Sequence, residues 1–308
     1  MKIHHVNRKS NQAFAALAAG ALATLLIGSA ANAAMLASDN AGNYTSSTWT
    51  GGTGAVPPNN GTGFGNWAVG GVTGTSGPYA GIFLQNYHST PVATVISAGS
   101  YAALSSYANT PAGGLTPQVN VYRDFKNTAG TGLGTLRSGQ AFSIDIYNWG
   151  VSQGVATSFG FSLNSGTDAN VNAATPVLPT VAFSMTVSAA GTSITDGTGT
   201  STWTGGPTAT TLDDGIRALF TLGANNTYTL TVSPVARGTS FTPFSYSTGT
   251  VSLPINGMEA SLVSGGASNG NFNNLAITNA TPTPEPASLG VMALGALGLL
   301  LLKRRRTV

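Results

Sequence analysis

Cysteine does not occur in the 308 residues, so neither a disulfide nor a thiolate metal centre is available. Histidine is nearly as scarce. His4 and His5 lie in the first segment, and His88 is the only one beyond it. A Ser-His-Asp triad needs an imidazole base. Gln85-Asn86-Tyr87-His88-Ser89-Thr90 offers His88 no supporting motif, and sites built from several His or Cys are excluded within one chain. Charge is also sparse, at 7% of residues against about 25% in ordinary globular proteins. Seven of the 12 basic residues sit in the two ends. The middle keeps Arg123, Lys126, Arg137, Arg217 and Arg237 against eight acids, a formal charge of −3. The sequence pI near 9.3 therefore reflects the ends. No basic patch is present for nucleic acid, so none is expected as a partner.

The chain opens with Lys2, Arg8 and Lys9, then an apolar stretch from Ala13 to Ile27 interrupted by Gly20 and Thr24. Ala31-Asn32-Ala33 follows. A basic start, a short greasy core and small residues before a cut describe a secretory signal peptide over residues 1–33, cleaved by signal peptidase after Ala33.

The other end reads Pro284-Glu285-Pro286, an apolar run from Ala287 to Leu302, and Lys303-Arg304-Arg305-Arg306. Sixteen residues make about 24 Å of helix, short of a bilayer core of about 30 Å. Gly290, Gly295 and Gly298 weaken that helix further. The basic cluster favours a cytoplasmic C-terminus, so the middle would lie beyond the inner membrane. This transmembrane helix, residues 287–302, is expected to hold the protein only temporarily.

The order of these three parts resembles the PEP-CTERM sorting signal of Gram-negative bacteria, also called an ice-binding protein C-terminal domain. The resemblance covers residues 281–308. It implies recognition by an exosortase, a membrane-embedded transpeptidase-like protease, and an association with exopolysaccharide production. Sorting would rest on Pro284, Glu285, Pro286, Lys303, Arg304, Arg305 and Arg306. The expected route is export across the inner membrane, transient anchoring, then the cell surface or extracellular matrix.

Residues 34–280 are rich in Gly, Ser, Thr and Asn but carry strand periodicity. Phe142, Ile144 and Ile146 alternate with Ser143, Asp145 and Tyr147. Val119–Val121, Phe159–Leu163, Phe183–Val187 and Tyr228–Val232 repeat the pattern, with turn residues at Asn59-Asn60-Gly61, Asp196-Gly197, Asn225-Asn226 and Asn256-Gly257. Ile216, Ala218 and Phe220 favour a strand after Gly215 over a helical turn. Many short strands predict an all-β, antiparallel two-sheet sandwich. The alternative, a β-solenoid, needs a fixed repeat that the sequence lacks. Ser-Thr-Trp-Thr-Gly-Gly at 47–52 recurs only once, at 201–206.

Gly61–Trp67 and Asn271–Thr278 resemble segments of secreted β-sandwiches carrying this same tail, and the second resembles the closing strand of concanavalin-like jelly rolls. That resemblance implies that the last strand returns beside the first strands.

Catalytic patterns are missing. The Glu-x-Asp-x-x-Glu strand typical of retaining glycosidases on such a fold is absent, and Glu259 is the one glutamate of the middle. Asp124, Asp145, Asp168, Asp196, Asp213 and Asp214 show no diagnostic spacing. Asp213-Asp214 alone makes at most half a calcium site. Gly51-Gly52-Thr53-Gly54 lacks the lysine and helix of a phosphate loop. No cofactor is expected. Among Trp49, Trp67, Trp149 and Trp203, Trp149 follows the alternating run Phe142–Tyr147 on its Ser143, Asp145 and Tyr147 face, which makes it the candidate for stacking on sugar rings. The expected function is a non-enzymatic, glycan-associated or structural β-sandwich with exopolysaccharide as a partner. A polysaccharide-active hydrolase and a self-assembling surface protein are the alternatives.

Overall fold

The structure is a computed structural model. It describes residues 35–279 apart from 53, 72–79, 87–100, 109–116, 128, 131, 167–178, 236–240, 248, 252–253 and 265. The signal peptide expected over 1–33, the sorting tail with the helix expected over 287–302, His88 and Asp168 lie outside the described residues. Among the described residues, no helix is long and apolar enough to cross a membrane.

Ala34–Ala280 forms one compact unit. Its strands are β1 (Met35–Asp39), β2 (Gly51–Gly52), β3 (Phe64–Gly70), β4 (Ala80–Asn86), β5 (Tyr101–Ala108), β6 (Gln118–Phe125), β7 (Gln140–Tyr147) and β8 (Ala156–Ser165). They continue as β9 (Thr180–Ser188), β10 (Gly191–Asp196), β11 (Gly199–Thr202), β12 (Ile216–Leu222), β13 (Tyr228–Pro234), β14 (Phe244–Tyr246), β15 (Gly257–Ser264) and β16 (Ser268–Asn279). Two short helices interrupt them, α1 (Trp149–Ser152) and α2 (Ala209–Asp213). The expected strand after Gly215 is β12, and α2 ends just before it.

The strands form two antiparallel sheets. One is nine-stranded, ordered β14-β13-β12-β7-β16-β5-β4-β2, with β1 also on β16. The other is seven-stranded, ordered β11-β10-β9-β8-β15-β6-β3. This is the expected sandwich of jelly-roll type. The closing strand does return beside the first, with Asp39 opposite Leu275 and Met35 opposite Thr278. Between the sheets runs an aromatic chain of Phe125, Phe142, Phe161, Phe183 and Phe220, with ring centroids 4.8–6.1 Å apart. Each ring comes from the inward set of an alternating strand, which is why a chain so rich in Gly and Ser still fills one core.

Loop chemistry follows the turn residues in part. Asp196 pairs with Gly199 around a two-residue hairpin. Asn225 and Asn226 adopt φ of 55° and 59° between β12 and β13, a left-handed backbone that Asn tolerates. Asn256-Gly257, read from sequence as a turn, instead leads straight into β15. Buried Asn256 bonds the carbonyl of Gly134 and the hydroxyl of Thr135. Its amide ties two segments together, a long-range role that local turn statistics do not encode.

One ionic group enters the core. Arg123, fully buried, pairs with Asp39 of β1. It lies 4.6 Å from the Phe64 ring centroid and 4.5 Å from that of Trp67. Asp39 also accepts from Tyr44 Oη at 2.5 Å and Asn43 Nδ2 at 2.7 Å. The charges are thus paired, hydrogen-bonded and capped by aromatic faces, as burial requires.

Candidate functional site

Strand β15 alternates Met258, Ala260 and Leu262 with Glu259, Ser261 and Val263. The first set is buried in the core, so the second faces outward from the seven-stranded sheet. Register then builds rows across the strands. Tyr122 on β6 stands opposite Glu259, Glu259 opposite Ser162 on β8, Ser162 opposite Ser184 on β9, Ser184 opposite Thr195 on β10, and Thr195 opposite Thr200 on β11. A parallel row runs Asn120, Ser261, Gly160, Thr186, Ser193 and Thr202. Six strands spaced about 4.8 Å apart give each row a length of about 24 Å.

Hydrogen bonds tie the β6 end of these rows together. Ser261 Oγ donates to Asn120 Oδ1 at 2.8 Å, and Gln118 Nε2 donates to the same oxygen at 3.0 Å. Asn120 Nδ2 donates to Tyr122 Oη at 2.9 Å. Glu259 Oε2 accepts from Ser162 Oγ and Asn164 Nδ2, each at 3.3 Å. Burial pushes the Glu259 carboxyl up to about 7, only partly offset by those two hydrogen bonds. Burial, and then the charge of Glu259, raise the Tyr122 phenol above its ordinary value, so it stays a donor at neutral pH. Toward β11 the rows open to solvent. Ser184, Thr186, Ser193 and Thr195 are half-buried and all four residues of β11 are exposed.

At the β3 side lies a cleft of about 440 Å³ lined by Asn59, Asn66, Ala68, Asp124 and Lys126, among others. Asp124 opposes Gly257 while Glu259 opposes Tyr122. The two carboxyl residues are therefore diagonal neighbours on adjacent strands. Alternation along 258–263 makes Glu259's outward direction legible in the sequence. The pairing of β15 with β6 and β8, which sets its neighbours, is a matter of topology and carries no local signal.

The structure scatters the other candidates. Asp145 is buried on the nine-stranded sheet, with Arg217 gripping it at 2.7 and 2.8 Å and Asn274 Nδ2 at 2.8 Å. Asp196 accepts from Tyr228 Oη at 2.7 Å. Asp213 receives a hydrogen bond from Ser152. Burial, together with the charge of Asp214, raises its carboxyl despite that bond. Among the described residues, no group of three or more His, Asp or Glu gathers to hold a metal. Trp49, Trp67 and Trp203 are buried, whereas Trp149 is 40% exposed. Trp149 does not continue β7, however. It begins α1, where Asn148 Oδ1 accepts from Val151 N at 3.0 Å and turns the chain. This N-cap is visible in the sequence only as an Asn before an apolar residue.

Comparison with known proteins bears on the tail first. Residues 282–306 match the PEP-CTERM protein-sorting motif. The PEP-CTERM motif marks an exported protein that an exosortase recognises and processes at the membrane. No curated protein matches the chain. Among solved structures, the globular domain of T. cruzi calreticulin shares 7% identity, covering 88% of this chain and 100% of that one, at a TM-score of 0.45. An endo-β-1,4-glucuronan lyase from the fungus Trichoderma reesei shares 9%, covering 69% and 94%, at 0.38. At that identity and superposition neither assigns an activity here.

Proposed function

We propose that this PEP-CTERM protein is a non-catalytic, glycan-associated β-sandwich of the cell surface or extracellular matrix. One observation carries the reading: the outer face of the seven-stranded sheet carries two cross-strand rows of hydroxyls and amides with a single carboxyl set among them, buried near β6 and open toward β11. Hydroxyls and amides both donate and accept, as sugar hydroxyls do, and rows running across the strands match an extended chain of rings. Trp149 adds an exposed aromatic on which a sugar ring can stack. Incubating the mature protein with the exopolysaccharide of its own source tests this. Retention through buffer washes is expected, and clean elution contradicts it.

A second reading has an observation of its own. A carboxyl held near pH 7 suits general acid–base catalysis, and Asp124 stands diagonal to Glu259. A polysaccharide-active enzyme would release reducing ends from some member of a broad glycan panel and lose that activity in Glu259→Gln. An inert protein on the whole panel removes this reading.

A further inference from the structure

We infer that the outer face of the seven-stranded sheet takes an uncharged glycan chain laid across its strands, and that Glu259 acts there as a charge filter against uronate-bearing chains. The inference rests on the glycan reading above and adds its selectivity. It begins from what the face lacks. From β6 through β15, β8, β9 and β10 to β11, the outward residues are Gln, Asn, Ser, Thr, Gly, Tyr, Val, Glu259 and Asp124, with no lysine or arginine among them. Arg123 points inward and is paired with Asp39. Arg217 is on the other sheet, bound to Asp145. Among the described residues, a polyanionic glycan laid on the rows would find no counter-charge along them, Lys126 standing beyond their β6 end. A neutral chain needs none, because every contact it requires is a hydroxyl or amide.

Glu259 sits where such a filter must sit. It is on the row between Tyr122 and Ser162, and among the described residues its hydrogen bonds come from neutral groups. The charged or titratable side chains that face it are few. From β6 come Tyr122 in direct register and Asp124 on the diagonal. Lys126, just past β6, lines the edge cleft with Asp124. The outward positions of β8 beside it, Ser162 and Asn164, do not titrate, nor do Ser184 and Thr186 on β9 or Asn66 and Ala68 on β3. No cation among the described residues of the row therefore offsets an ionised Glu259, and its field falls on the ligand.

The same carboxyl makes the filter sensitive to acid. Burial holds its pKa at about 7. At pH 8 it is ionised and repels a uronate. At pH 6 it is protonated while the uronate, a carboxylic acid of ordinary strength, stays charged. Discrimination against acidic chains is thus strong above pH 7 and relaxes below it.

The test uses the mature protein and matched hexasaccharides differing only in oxidation at C6: glucan and glucuronan, mannan and mannuronan, galactan and galacturonan. Affinities are read at pH 8 and pH 6. Neutral members should bind at both. Their uronate partners should bind weakly at pH 8 and gain on the order of tenfold at pH 6, the size expected of one charge pair at a partly solvated surface. Glu259→Gln should bring that gain to pH 8. Ser184→Lys, at a half-buried row position, should also raise uronate affinity at pH 8 by supplying the missing cation. A uronate preferred at pH 8 by the unaltered protein overturns the inference and leaves the glycan reading standing. So does a discrimination that ignores pH. If no member of any pair binds, the inference falls, and retention on the source's own exopolysaccharide decides the glycan reading separately.

Discussion

Arg123 and Glu259 are the two residues whose charge the fold treats most differently. Arg123 is fully buried but paired, hydrogen-bonded and packed on two rings. Removing its partner leaves an uncompensated charge in the core, so Asp39→Ala should cost about 3–5 kcal/mol in chemical denaturation. A loss below about 1 kcal/mol would mean that water reaches the site. Glu259 has no charged partner and answers by keeping its proton. Its folded pKa, about 7, lies above the 4.5 of the free side chain. The native state therefore binds more protons than the unfolded chain between those values. Stability from this group is fully present below about pH 4.5 and is lost as pH rises through 7. A fall on the order of 2 kcal/mol between pH 5 and pH 8 is expected. Glu259→Gln should flatten that slope. A slope unchanged by the substitution would place the titrating group elsewhere.

Strands were the most legible elements. Each of the five alternating runs in the sequence lies within a strand, β6, β7, β8, β9 or β13. Period-two alternation marks which side chains go inward, and one core accepts them all. What stayed hidden was pairing. The partner of β15 on either side is more than 90 residues away in the chain, so the Glu259 row has no local signature. Trp149 shows the same limit on a smaller scale. Its exposure agrees with the expectation, yet it stands on a capped helical turn instead of a strand face. Glycine marks another constraint that only register reveals. A Cβ on Gly160 would meet the Met185 carbonyl oxygen at 2.0 Å, a backbone atom of the neighbouring strand. Gly160→Ala must push β8 from β9 and should cost about 1–3 kcal/mol. A neutral substitution would show that this part of the sheet yields easily.

At the scale of the whole molecule, the tail and the body are understood to different depths. The sorting motif at 282–306 is recognisable because its signal is local, three short segments in a fixed order. For the body, the glycan reading rests on a face assembled from six strands and on a sequence in which charged residues make up 7%. Low charge and rows of hydroxyls favour contacts made by hydrogen bonding. The most direct measurement is hydrogen exchange of the mature protein with and without its source's exopolysaccharide. The account predicts added protection along β15, β8, β9, β10 and β11, centred on Glu259, Ser162, Ser184 and Thr195. Protection confined to the nine-stranded sheet, or no change anywhere, would contradict it.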